Sequence, residues 1–301
     1  MVSALLAASL VFTPADAGLA CTTAVQLVER HTPRDPGTAR SALAANFLLD
    51  AASAAGADVR RDVFFAKTPK GERRFTNLVA SFEANPGKPW VVVVSHYDTK
   101  PGVDCPGAND GASTSGLLVA FAGLLRSHRP ASGNVMLVWT DGEECMNAYV
   151  EDDGLWGSRH AAKSLKERGV DVRAVICVDM LGDRDLHISI PRNSSPALAK
   201  IALLAAKRAG IEDKVSRTDF LVKDDHVPFL EAGFKAVDLI DFEYGSAPGL
   251  NDFWHTAKDT PDRISEKSLL VAGKLVVGML DILVAVKAKP ECCSEQNRNG
   301  E

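Results

Sequence analysis

Between Thr22 and Lys287, short apolar runs rich in Val and Ile alternate with longer segments whose apolar residues recur at helical spacing. The runs Asn77–Phe82, Trp90–Ser95, Val135–Thr140, Ala174–Asp179, Leu186–Ile190 and Lys235–Ile240 read as strands. The segments Ala39–Ala54, Ala112–Ser127, Ser158–Arg168, Ser195–Ala209 and Ser265–Val286 read as helices. Several strands, such as VVVVS, VMLVW and AVICV, are apolar throughout rather than alternating. A strand of that kind is covered on both faces. The expected fold is a single α/β domain, with a central, largely parallel mixed sheet flanked by helices.

Ahead of this domain, Ala4–Phe12 is an apolar stretch too short to span a bilayer, and the small-residue pattern Ala15-Asp16-Ala17 follows it. That reads as an export leader covering residues 1–20, with the catalytic domain in 22–287 and a polar, disordered tail in 288–301. No Lys or Arg precedes the apolar run. A secreted or periplasmic location is expected. Cys21, after Leu19-Ala20, faintly resembles a lipoprotein cleavage site, which raises lipid anchoring as a further option. No later segment is long and apolar enough to cross a membrane.

The 301-residue chain is 46% hydrophobic and 24% charged, with a net charge of -5, so it carries no electrostatic footprint for nucleic acid. An exported chain with six cysteines can form disulfides. Cys105 and Cys145 lie in loops expected to meet at the active site; they either pair there or stay as buried thiols, and pairing is the expectation.

Polar residues cluster just beyond the strand ends. His96 follows WVVVVS, Glu143 and Glu144 follow VMLVWTDG, and Asp179 ends AVICVD. In open α/β sheets, ligands bind in the crevice at the carboxyl ends of strands. A catalytic zinc needs a few imidazole nitrogens and carboxylate oxygens held by rigid elements, with one position open. His96, Asp110, Glu144, Asp179 and His255 supply that donor set. Any one alone reads as a structural histidine or a helix cap, and Asp110 could cap the helix starting near Ala112. Five together do not read that way. Asp98, two residues past His96, could orient its ring. In the Glu143-Glu144 pair, one carboxylate can bind metal while its neighbour serves as general acid/base.

The segments SHYDT (Ser95–Thr99), GANDGAS (Gly107–Ser113), DGEE (Asp141–Glu144), GSRH (Gly157–His160), VDMLG (Val178–Gly182), DDHVPF (Asp224–Phe229) and FWHT (Phe253–Thr256) occur in this order. The pattern resembles the zinc aminopeptidase family of clan MH and, within it, the glutaminyl cyclases. The likeness runs from about Val25 to Val286 and includes FFAKTPKGERRFTN (Phe64–Asn77). It implies Asp110, Glu144 and His255 as zinc ligands and Glu143 as general acid/base. His96 and Asp179 match residues that complete a second metal site in aminopeptidases, while in cyclases one zinc is bound and the Asp joins a network with the catalytic Glu. Asp224, where aminopeptidases tend to have Ser, and Trp254, before the ligand His255, resemble the cyclases. Asp238 departs from the animal cyclases, which have His there; some bacterial cyclases resemble this chain.

The resemblance implies a single-zinc glutaminyl-peptide cyclotransferase that turns N-terminal glutamine of peptides or proteins into pyroglutamate with release of ammonia, acting as a monomer. Glu143, Asp179 and Asp224 are its expected catalytic residues and Trp254 a substrate wall. The alternative is a two-zinc aminopeptidase using His96 and Asp179 for the second metal. A catalytically dead binding domain would have lost ligands, and all five are present.

Overall fold

The computed structural model describes residues 10–150 and 153–288. In chain order the elements begin with helices α1 (Pro14–His31) and α2 (Ala39–Ala54), then strands β1 (Val59–Thr68), β2 (Gly71–Phe82) and β3 (Trp90–His96). Helix α3 (Thr114–Ser127), strands β4 (His128–Pro130) and β5 (Asn134–Thr140), helix α4 (Trp156–Glu167) and strand β6 (Val172–Asp179) follow. The remainder comprises β7 (Ile188–Ile190), α5 (Pro196–Ala209), β8 (Val215–Arg217), α6 (His226–Glu231), β9 (Ala236–Ile240), α7 (Glu266–Val284) and β10 (Val286–Ala288).

Eight strands form one sheet in the order β1-β2-β5-β3-β6-β9-β7-β8, and β10 pairs with β4 apart from it. Strands β5, β3, β6 and β9 run parallel, so their carboxyl ends share one edge. β2 and β7 join this parallel centre antiparallel, and β1 pairs with β2 as a hairpin. The mixed α/β sheet expected from the apolar runs is the observed one. Period-two alternation divides the runs between two cores. Val91 and Val93 of β3 pack with α1, α3 and α7, while Val92 and Val94 face Ala161, Leu165 and Phe229 from α4 and α6.

Residues 10–20 of the expected leader lie among the described residues. Leu10 and Phe12 are buried, and Thr13 opens α1 with a capping box: its hydroxyl accepts from Asp16 N–H, and the Asp16 carboxylate accepts from Thr13 N–H at 2.8 Å. Phe12 stacks edge-to-face on Phe121 and lies against Gly273, where a Cβ would sit 2.3 Å from its ring. Ala20 presses on Gly116 of α3, where a Cβ would meet the Ala20 carbonyl at 2.2 Å. A cut after Ala17 or Ala20 would remove this packing. Small residues serve a tight helix crossing as well as they serve a leader peptidase. Cys21 is a half-buried thiol within α1, packed against the same core. The rest of the apolar run, residues 1–9, and tail residues 289–301 lie outside the described residues.

Candidate active site

The parallel strands deliver the site. His96 ends β3, and its Nε2 stands 3.1 Å from both Asp179 Oδ1, at the end of β6, and Asp110 Oδ1. Asp110 sits in the turn Ala108–Ser113, which does not continue into α3: Asp110 has φ -82 and ψ 97, and Gly111 has φ 88. A Cβ on Gly111 would lie 2.9 Å from the His96 ring, so only glycine lets this turn approach the imidazole. The Asp259 carboxylate holds the turn by accepting from Asn109 N–H at 2.7 Å and Asp110 N–H at 3.1 Å.

Glu143 and Glu144 follow β5 on a loop gathered by Asp98. One Asp98 carboxylate accepts from the backbone N–H groups of Gly142, Glu143 and Glu144 at 3.0–3.1 Å, and lies 3.5 Å from His96 Nδ1. Its expected part beside His96 is therefore the smaller one. The loop fans the two glutamates apart: Glu144 Oε1 approaches His255 Nε2 at 2.8 Å, and Glu143 faces the cavity.

Two donor groups result, Asp110/Glu144/His255 and His96/Asp110/Asp179, each with its ligand atoms within 4.8 Å of one another and sharing Asp110. Buried Asp110 Oδ2 has no hydrogen-bond partner, although His255 Nε2 is 3.3 Å away. Converging carboxylates and imidazoles with an unsatisfied buried oxygen fit a divalent metal of the zinc type.

Carboxylate crowding governs the electrostatics. Burial, then Glu144 alongside, pushes the Glu143 carboxyl well above its usual range. Burial lifts Asp179 to about 8 against the pull of His96. For His255, burial opposes charging, but hydrogen bonds to Asp110 and Glu144 outweigh it and raise the imidazole to about 9.

A cavity of about 330 Å³ opens onto these groups. Asp224 and Trp254 line it with Glu143, Asp179 and His255, and Phe220 and Phe242 form its apolar flank. Trp254 stacks on the His255 ring at 3.8 Å and packs against Phe242 at 5.1 Å. All eight residues singled out from the sequence converge: seven reach the cavity wall, and His96 lies just behind it.

Three contributors carry no signal in the sequence pattern. Tyr149 donates its hydroxyl toward Glu143 Oε2 at 3.1 Å and Glu144 Oε2 at 3.3 Å. Lys100 Nζ lies 3.6 Å from Glu144 Oε2. Asp259 holds the metal-ligand turn from below. The first two lie in loops without periodicity, although Lys100 directly follows SHYDT and Asp259 lies three residues beyond FWHT. The expected Cys105–Cys145 disulfide is absent: both are buried thiols, and Cys145 Sγ instead accepts from Lys100 Nζ at 2.9 Å.

Carboxylates and imidazoles gathered at the carboxyl edge of a parallel sheet, beside an apolar-walled cavity, define a metal-dependent α/β enzyme that takes a small end group. The sequence model of peptidase family M28 matches residues 77–280. An Acidobacteriales bacterium glutaminyl cyclase structure superposes with a TM-score of 0.84 at 31% identity, covering 94% of this chain and 98% of that one. Glutaminyl-peptide cyclotransferase of Drosophila melanogaster is 27% identical over 257 residues, covering 75% of this chain and 70% of the relative. Aminopeptidase YwaD of Bacillus subtilis is 29% identical over 214 residues, 68% of this chain and 44% of its own. The chain belongs to peptidase family M28 and stands within it beside the glutaminyl cyclases. No helix among the described residues is long and apolar enough to cross a membrane.

Proposed function

We propose that the protein is a glutaminyl-peptide cyclotransferase with one zinc per chain, held by Asp110, Glu144 and His255. The observation that carries this reading is that Asp224 and Trp254 face the same cavity as Glu143 and the metal-ligand group. When bound, zinc supplies a Lewis acid for the γ-carboxamide carbonyl of an N-terminal glutamine. The substrate's own α-amine attacks that carbon: a carbon–nitrogen bond forms, the carboxamide C–N bond breaks, and ammonia leaves.

Glu143 takes a proton from the amine and returns one to the departing ammonia. Its carboxyl, lifted by burial and by Glu144, is a stronger base than a solvated glutamate. Asp224 receives the substrate amine, and Asp179, on the same wall, shares the charge of the acid network. Trp254, braced by Phe242 and the His255 ring, folds the glutamine side chain back and keeps water from the reacting carbon. Holding amine and carbon in that geometry is worth several kcal/mol in a well-oriented intramolecular reaction, on the order of 7 or more.

The His96/Asp110/Asp179 group favours a second reading, a two-zinc aminopeptidase that activates water. The test offers Gln-peptide and Leu-amide side by side, with metal content measured on the same sample. Ammonia release with about one zinc per chain supports the cyclase; Leu-amide hydrolysis with two supports the aminopeptidase. Under the cyclase reading, Asp224→Ala cuts ammonia release sharply while zinc stays bound. We place the enzyme outside the cytoplasm, as a monomer.

A further inference from the structure

The mouth of the cavity carries a charge that the mechanism leaves unused. The cavity wall holds five carboxylates, those of Asp110, Glu143, Glu144, Asp179 and Asp224. Among the described residues, Lys223 is the one lysine or arginine in that wall, and it precedes Asp224 directly in the chain. Burial alternates along this segment: Leu221 and Lys223 are exposed, while Val222 and Asp224 are buried. The two chain neighbours therefore meet the cavity at different depths, Asp224 within and Lys223 at the mouth.

Hydrogen bonds hold this segment in place. The Phe220 carbonyl accepts from Arg192 N–H at 3.0 Å, Val222 N–H donates to Asn193 Oδ1 at 3.2 Å, and Asn193 Nδ2 donates to the Val222 carbonyl at 2.7 Å. They pin residues 220–222 to the stretch between β7 and α5, so the segment forms a firm edge to the cavity. From that edge the Lys223 side chain crosses to the loop after β5, where Nζ donates to the Tyr149 carbonyl at 2.9 Å. Tyr149 lines the same cavity, so the ammonium joins two sides of its mouth. The contact is solvent-exposed and its acceptor is a neutral carbonyl. An arriving anion is the stronger acceptor for that ammonium.

Charge is thus sorted by depth, with carboxylates inside and a cation at the entrance. A substrate held by its amine at Asp224 runs outward past Lys223, and each extended residue advances the chain by only about 3.3–3.6 Å. The group just downstream of the amine therefore passes the ammonium. Exposed Phe220 and Leu221 beside it offer apolar contact to the same group. We propose that Lys223 is a specificity-determining residue whose ammonium receives a carboxylate just downstream of the substrate amine. That carboxylate is the acidic side chain of a second residue or the α-carboxylate of free glutamine. The glutamine rests on the cyclase reading; the preference for a downstream anion does not.

The experiment uses the zinc-loaded enzyme and the amide-capped peptides Gln-Glu-Ala and Gln-Lys-Ala, with ammonia release measured at low and high salt. kcat/KM for the Glu peptide exceeds that for the Lys peptide about two- to fivefold, chiefly through KM, the range for an exposed ion pair. High salt shrinks the advantage, because an exposed pair is screened. Lys223→Gln keeps an N–H donor for the Tyr149 carbonyl without the charge, and the advantage disappears; Lys223→Arg keeps it and Lys223→Glu reverses it. If Lys223 only tied the two loops together, Lys223→Gln and Lys223→Glu would change both peptides alike. An unmoved ratio in those variants, or no advantage of the Glu peptide in the wild type together with none of free glutamine over glutamine amide, would overturn the proposal. An advantage of free glutamine over glutamine amide that Lys223→Gln removes assigns the α-carboxylate, and one confined to the Glu peptide assigns the second residue. If the wild type releases no ammonia from any probe, the cyclase reading fails. Leucine release from the amide-capped peptides Leu-Glu-Ala and Leu-Lys-Ala then decides for or against Lys223 by the same ratio.

Discussion

Asp98 holds Glu144 by the backbone: its carboxylate accepts from Glu144 N–H at 3.1 Å while accepting from Gly142 and Glu143 as well. A single buried side chain on the β3 exit thereby shapes the loop that follows β5, and Glu144 reaches His255 because of it. Asp98→Ala leaves three buried N–H groups without an acceptor. Zinc affinity should fall about ten- to a hundredfold, the usual cost of losing a residue that orients a metal ligand. Competition with a chromogenic chelator measures this, and undiminished affinity would show that the loop holds its shape unaided.

Glu143 and Glu144 are neighbours with different directions, so their isosteric variants should separate. Glu143→Gln retains zinc and fold and loses about a hundred- to ten-thousand-fold in turnover, as removal of a general acid/base does. Glu144→Gln loses metal first, because it replaces the carboxylate at 2.8 Å from His255. Metal content and single-substrate kinetics on both variants provide the check. Exchanged phenotypes would reverse the assignment within the pair.

Phe12 fills space between Phe121 and Gly273. Phe12→Ala should cost about 3–5 kcal/mol, the range for a buried phenylalanine replaced by alanine. A chain starting at Gly18 should lose still more, since the capping box goes too. Urea unfolding followed by circular dichroism reads both effects. Equal stability of the full-length and shortened chains would return Leu10–Ala17 to the leader.

Asp241 offers a pH test away from the metal ligands. It is buried, and burial raises its carboxyl to about 7, although its oxygens accept from the His187 and Glu243 N–H groups. The unfolded chain releases this proton near pH 4. Between about pH 4 and pH 7 the folded state therefore binds more protons, and stability falls as pH rises, by up to about 1.4 kcal/mol per pH unit. Asp241→Asn cannot ionise and should flatten that part of the profile. A slope unchanged in Asp241→Asn would assign the proton uptake elsewhere.

The strands and their order of appearance are legible because β3, β5 and β6 are buried on both faces and must be apolar along their length. The site residues are legible because parallel strands put their carboxyl ends on one edge, so His96, Glu144 and Asp179 announce a common crevice. Six elements escape: the short α6, β4, β8 and β10, together with α1 and β1. Helix α1 is hidden because alanines that pack against Gly116 look the same as residues suited to a leader peptidase. Hairpin β1 is hidden because its edge-strand pattern, with Phe65 exposed and charges between, has only one weakly buried face.

Local composition, period and the residue types at strand ends by themselves determined the α/β class, the donor set and the crevice where it gathers, since those depend on which side chains water rejects and which bind metal. Tertiary structure alone decided the rest. It set which carboxylate approaches His255, that Asp98 gathers the glutamate loop, and that Cys145 meets Lys100 rather than Cys105. Each of these depends on distances of a few ångströms between segments far apart in the chain, and charge, hydrogen bonding and steric fit act only at that range.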